Sequence, residues 1–205
     1  MPVIDYYFVG ISPYAYLGHR AFVEMAARHG ATVNYKPVML KDLWAESGAF
    51  PLAKRPPVRQ RYRFLELQRH REARGLPLNL KPKHFRVDAS LAELSVIALT
   101  EKGLDPTDYM ERVFSGVWAK EEDVSDRATI TGYLTDCGFD AEAILARAAT
   151  DEVAAIRDRY SREAVAADAV GVPAYVLNGE VFWGQDRIDL LESAIITGRE
   201  PYRQP

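Results

Sequence analysis

The spacing of apolar and polar residues changes rhythm along the chain. From Val3 to Phe8 nearly every residue is β-branched or aromatic, which predicts a strand. Tyr14, Leu17, Ala21 and Met25 then recur at helical spacing. Ser12 suits the N-cap of that helix and Pro13 its first turn, while Arg28, His29 and Gly30 suit its end. A second strand follows over Thr32 to Val38. Together these pieces form a β-α-β unit, which needs more strands and a covering layer from elsewhere in the chain.

From about residue 40 to 165 helical periodicity takes over. It predicts helices over 59–74, 91–102, 106–118, 127–137, 141–149 and 151–169, the first two stopped by Gly75 and Gly103. Strand signals return in "VPAYVLNGEVFWG", two short strands around an Asn178-Gly179 turn. Asp186 is then expected to cap a last helix carrying Ile188, Leu191 and Ile195 and stopped by Gly198. With the helical block removed, the element order resembles a thioredoxin-like fold. The expected class is therefore α/β: a thioredoxin-like domain built from residues 1–39 and 166–205, interrupted by an all-helical insertion domain over 40–165. In such a fold Pro173, just before a strand, is expected to be cis and to face the start of the first helix.

Composition narrows the function. The chain has 205 residues, 48% hydrophobic and 27% charged, as in soluble globular proteins. A net charge of −3 gives no basic field for nucleic acid. No apolar run approaches a membrane span, and a strand pattern begins at once without a leader, so a cytoplasmic protein with no membrane partner is expected. The single cysteine, Cys137, fits a reducing compartment. No histidine pair has metal-ligand spacing with a third ligand, so no metal is expected.

Three stretches carry a more specific resemblance: "DYYFVGISPYAYLG", "VFSGVWAKEEDVSD" and "GVPAYVLNGEVFWGQDRIDLLE". They resemble the 2-hydroxychromene-2-carboxylate isomerase family, close to kappa-class glutathione transferases and within the DsbA-like branch of the thioredoxin superfamily. The resemblance implies glutathione as cofactor, an aromatic carboxylate as small-molecule substrate, and a homodimer. The segment where DsbA-like relatives hold a reactive cysteine has none here, so a thiolate must arrive with a ligand.

By resemblance, Ser12 donates to the glutathione sulfur at a helix start, which itself favours a thiolate. Val172, beside Pro173, pairs through its backbone with the cysteinyl unit. Gln185 and Asp186 take the γ-glutamyl end, and Lys54 the glycine end or a substrate carboxylate. Arg55, in the run that resembles the family's Asn-Lys-Pro-Pro segment, is expected to meet a substrate carboxylate. Apart from the resemblance, Tyr14 as pocket wall and His84 in its basic loop are expected to face substrate, and Trp44 and Trp118 to line its apolar half. Each also has a plainer reading: a helix cap for Ser12 and Asp186, a strand start for Pro173, a solvated basic loop for Lys54, and core packing for the tryptophans. Arg59, Arg61 and Arg63 are read as solvated. The sequence departs from the family pattern where Lys54-Arg55-Pro56-Pro57 stands for Asn-Lys-Pro-Pro and Ala174 for a threonine. A kappa-like transferase or peroxidase, or a glutathione-binding module without catalysis, remain as alternatives.

Overall fold

In a computed structural model, which describes residues 1–203, the strands come from both ends of the chain. β1 (Val3–Phe8) is followed by α1 (Pro13–Arg28) and β2 (Thr32–Pro37). β3 (Ala174–Leu177) and β4 (Glu180–Trp183) form the C-terminal hairpin, and α9 (Ile188–Thr197) closes the fold. The sheet order is β2-β1-β3-β4, with β1 parallel to β2 and antiparallel to β3. β3 pairs antiparallel with β4 through the turn at Asn178 and Gly179, both at positive φ.

Between β2 and β3 lie α2 (Leu40–Ser47), α3 (Pro57–Arg74), α4 (Ser90–Glu101), α5 (Thr107–Ser115), α6 (Arg127–Asp136), α7 (Ala141–Ala148) and α8 (Asp151–Ala166). No strand interrupts them among the described residues. The period-two alternation of β1 divides the core. Ile4, Tyr6 and Phe8 face a large cluster that also contains Phe22 of α1, Leu99 of α4, Tyr109 of α5 and Leu191 of α9. Tyr7 and Val9 face a smaller one with Leu43 of α2 and Ala164 of α8. The inserted helices thus share a continuous core with the sheet.

Three local expectations need correction. The segment 40–47 forms a helix that the pattern did not single out. The helix expected over 106–118 is α-helical only to Ser115 and widens into a π-turn over Gly116–Lys120, seating Trp118 in the core. Asp186 does not cap the last helix. Residues Gln185–Arg187 form a 3₁₀ turn without a side-chain cap, and α9 begins at Ile188.

His19 ties α1 to α5. It is fully buried, and its Nε2 lies 3.1 Å from the Thr107 carbonyl, which can only accept, so that nitrogen carries the proton. Burial lowers its pKa from the ordinary 6.5 to about 4. The unfolded chain therefore takes up this proton before the fold does. The stabilisation from neutral His19 is present above 6.5 and is lost as pH falls through about 4. The stability advantage of the wild type over His19→Phe should shrink by about 3 kcal/mol between neutral pH and the acid side of this window. Urea unfolding of both proteins across that range checks this, and a pH-independent difference would refute it.

Candidate active site

The β1–α1 turn is short and tightly held. Ser12 N–H donates to the Val9 carbonyl at 2.9 Å, and the Ser12 carbonyl accepts the Tyr16 N–H at 3.0 Å. The Ser12 Oγ caps the helix by accepting the Ala15 N–H at 3.2 Å. That bond uses a lone pair only. The hydroxyl proton of Ser12 and the N–H of Tyr14 have no partner among the described residues. Two donors thus remain at the positive end of a 16-residue helix.

Facing this helix start is the turn before β3, where the Val172–Pro173 peptide is cis. The Val172 N–H and C=O make no backbone hydrogen bond among the described residues, leaving an open edge for an extended ligand. The Pro173 carbonyl accepts the Gly184 N–H at 2.9 Å and draws the β4–α9 turn alongside. Trp183 is half exposed there and lies over Gly171, where a Cβ would come 2.9 Å from the indole nitrogen.

These turns form one side of a cavity of about 1080 Å³. Ser12, Pro13, Tyr14, Val172, Trp183 and Asp186 line that side. The opposite wall comes from residues 44–86: Trp44, Phe50, Arg55, Arg59, Arg63, Phe85 and Arg86. Pro56 at the entry to α3 and Gly48 after α2 end the two helices that frame this wall.

The cavity is positively charged. Its carboxylates are already engaged: Glu66 with Arg69 at 2.5 Å, and Asp186 with Arg187 at 2.6 Å. Arg55, Arg59, Arg63 and Arg86 have no carboxylate partner among the described residues. Arg63 stands 5.8 Å from the Phe85 ring and 5.9 Å from that of Trp118. Burial lowers its pKa, the mark of a cation held partly out of water without an anion. Arg55 donates its Nε–H to the Phe50 carbonyl at 2.8 Å and stands 5.9 Å from the Trp44 ring. Tyr14 sits among these cations. Burial raises its pKa against the pull of Arg63, so its hydroxyl keeps its proton at neutral pH.

The structure gathers Ser12, Tyr14, Arg55, Val172 and Asp186 at this cavity, with Pro173 just behind its wall. It does not place every candidate there. Lys54 is exposed at the end of a 3₁₀ turn and off the cavity wall. His84 lies 3.4 Å from Asp123 and also off the wall. The Gln185 side chain is turned inward, where its Oε1 accepts from Arg74 at 3.1 Å, so it reaches the cavity edge without offering its amide oxygen. Its Cβ would lie 2.6 Å from one added at Gly18, so α1 can approach this turn only with glycine there. Trp118 is fully buried beneath Phe85 and off the wall. Conversely, Arg63, read as solvated, belongs to the cavity. Its helix has an apolar residue, Leu67, one turn further on as its single buried position, the only sign that this face looks inward.

A second buried group reaches the Ser12 turn. Glu93 of α4 accepts the Gly10 N–H through Oε1 at 2.8 Å, and its Oε2 lies 3.2 Å from Nη1 of Arg157. Burial pushes this carboxyl up to about 7, against the stabilising pull of Gly10 and Arg157. No group of His, Cys, Asp and Glu able to hold a metal occurs among the described residues, and none of their helices is long and apolar enough to cross a membrane.

A helix start without cysteine opposite a cis-proline edge is a variant of one architecture, and comparison settles which. A family model described as a DSBA-like thioredoxin domain matches residues 3–196. The chain belongs to the DSBA-like thioredoxin family. Within it, the chain is 27% identical over 205 aligned residues to a 2-hydroxychromene-2-carboxylate isomerase of Pseudomonas putida, covering 94% of each chain. It is 24% identical to the isomerase of Sphingobium xenophagum, over 94% of this chain and 97% of that one. Glutathione S-transferase kappa 1 of Caenorhabditis elegans is 26% identical, over 93% of this chain and 89% of that one. A solved 2-hydroxychromene-2-carboxylate isomerase superposes with a TM-score of 0.82 at 23% identity, over 95% of each chain. That agreement extends the shared fold over 95% of this chain, inserted helices included.

Proposed function

We propose that this protein is a glutathione-dependent isomerase of an aromatic carboxylate, 2-hydroxychromene-2-carboxylate or a close relative, yielding trans-o-hydroxybenzylidenepyruvate or its counterpart. The observation that carries the reading is the free hydroxyl proton of Ser12 at a helix start, opposite an unpaired Val172 edge, in a cavity rich in unpaired arginine. Likeness to three isomerases over nearly the whole chain supports it.

The residues fit glutathione. The Val172 N–H and C=O match an extended cysteinyl unit. Asp186 suits an α-ammonium, with Arg187 swinging from it to the neighbouring carboxylate. When bound, glutathione supplies a thiolate that adds reversibly to a conjugated double bond, frees rotation about it and departs unchanged.

Ser12 and the Tyr14 N–H hold negative charge at the sulfur before addition and after release. The Arg63 guanidinium takes the substrate carboxylate, with Arg55 and Arg86 flanking it. Phe85 and Trp44 exclude water from the aromatic ring. The Tyr14 hydroxyl, protonated and beside Arg63, donates to the substrate oxygen that gains charge as the ring opens. A cytoplasmic setting and a homodimeric assembly complete the proposal.

The test is an ultraviolet titration of the thiolate of glutathione bound to the purified protein. A bound-thiol pKa well below the value of about 8.5 for a free thiol is expected. Turnover of the chromene carboxylate should leave the glutathione concentration unchanged. Binding without a pKa shift would reduce the protein to a binding module, and consumption of glutathione would make it a transferase like its kappa-class relative.

A further inference from the structure

The Val9–Gly10 peptide stands between Ser12 and Glu93. Its carbonyl accepts the Ser12 N–H at 2.9 Å, and its N–H donates to Glu93 at 2.8 Å. One amide plane therefore joins the Ser12 turn to a carboxylate that lies 83 residues further along the chain. We propose that Glu93 is a positioning residue of the Ser12 site, acting through this peptide. The inference rests on the function proposed above and gives Glu93 a part in it.

A carboxylate that accepts the N–H of an amide pushes electron density toward the carbonyl oxygen of the same peptide, so that carbonyl becomes a better acceptor for Ser12. The bond to Gly10 is charge-assisted and short, and it fixes the height of the turn above the sheet. The turn packs directly against the start of α4. A Cβ on Gly10 would meet Ala89 Cβ at 3.4 Å and Glu93 Cγ at 3.5 Å. Arg157 of α8 completes the arrangement by pairing with the other carboxylate oxygen and donating to Ser90 Oγ at 3.1 Å. A buried ion pair contributes little to stability compared with apolar residues of the same size. Here it delivers a charge to the peptide next to the reacting centre. An ordinary staple between helix and sheet would need no charge there.

Two double variants separate positioning from bulk stability. Glu93→Leu with Arg157→Met removes the pair and the acceptor together. Glu93→Gln with Arg157→Met keeps a neutral acceptor for Gly10. Melting temperature, amide hydrogen exchange at Gly10 and Ser12, and the thiol pKa of bound glutathione are read on each. The Leu variant should fold, exchange both amides faster by about tenfold or more, and return the thiol toward its free pKa. The Gln variant should fall between it and the wild type.

Retention of both amide protection and thiol pKa in the Leu variant would overturn the proposal. If that variant does not fold, the step from wild type to Gln decides, and its absence overturns the proposal. An unshifted thiol in the wild type removes the proposed function and this inference with it. A shifted wild-type thiol that every Glu93 variant keeps removes this inference alone.

Discussion

Replacing Ser12 by aspartate is expected to leave the fold as stable as the wild type and to abolish turnover. Both effects come from one atom. The Ser12 Oγ accepts the Ala15 N–H and so caps α1, while its proton is free to face the cavity. Aspartate caps a helix as well as serine does. It has no proton to give at neutral pH, and it sets a negative charge against the bound sulfur. The thiol pKa should then rise above its free value rather than fall below it.

Ser12→Ala is the milder change. It loses the donor and the cap together, and should cost on the order of 100-fold in kcat and about 1 kcal/mol in stability. Under the proposed function, affinity for glutathione should change little in Ser12→Ala, because that reading assigns the rest of the ligand to Val172 and the 184–187 turn. Melting curves, glutathione titrations and steady-state rates on both variants make the comparison. An active Ser12→Asp would mean that no thiolate forms at this helix start.

Arg63→Met should do the reverse, lowering activity while raising stability. Arg63 is a partly buried cation with no carboxylate partner, so the free protein bears the cost of its desolvation. Methionine fills the space between Phe64, Phe85 and Trp118 without that cost. The melting temperature should therefore hold or rise. A carboxylate substrate loses its charged hydrogen bonds, and kcat/KM should drop by about 10-fold to 100-fold, mostly through KM. The thiol pKa of bound glutathione should stay at its wild-type value. Lysine should restore little, since its ammonium cannot lie flat against Phe85 while presenting two donors. An unchanged KM in Arg63→Met would move the carboxylate to Arg55 or Arg86.

What the sequence disclosed follows physical range. The strands, α1 and the hairpin were legible because their signals are local: β-branched runs, the Ser12-Pro13 start, and the Asn178-Gly179 turn. The cis bond before Pro173 was legible only once the order of the strands was in view. Inside the insertion, helix ends were set within a few residues, but the π-turn at Gly116 was not. It depends on Gly116 packing against Tyr133, a contact outside the local pattern.

The same limit applies at the site. Ser12 and Val172 lie on backbone turns whose geometry is local. Arg63 and Lys54 look alike as basic residues near prolines, and only the packing of α3 over Phe85 separates them. Asp186 has the sequence of a cap, yet the 3₁₀ turn carries its carboxylate to Arg187 instead. Gln185 looked like a ligand contact, but Arg74, 111 residues away, claims its side chain. Glu93 carried no signal at all, as its partner at Gly10 is a backbone amide.

The cavity has walls of separate ancestry in the chain. The two ends of the polypeptide furnish the side with Ser12, Val172 and Asp186, and residues 44–86 furnish the side with Arg55, Arg63 and Phe85. Mutation in that one internal segment can change charge, width and aromatic lining while the turns at Ser12 and Pro173 stay as they are. Selection on a new aromatic acid therefore has a compact stretch of gene to work on. A library restricted to that stretch would explore substrate range with the Ser12 and Pro173 turns held constant.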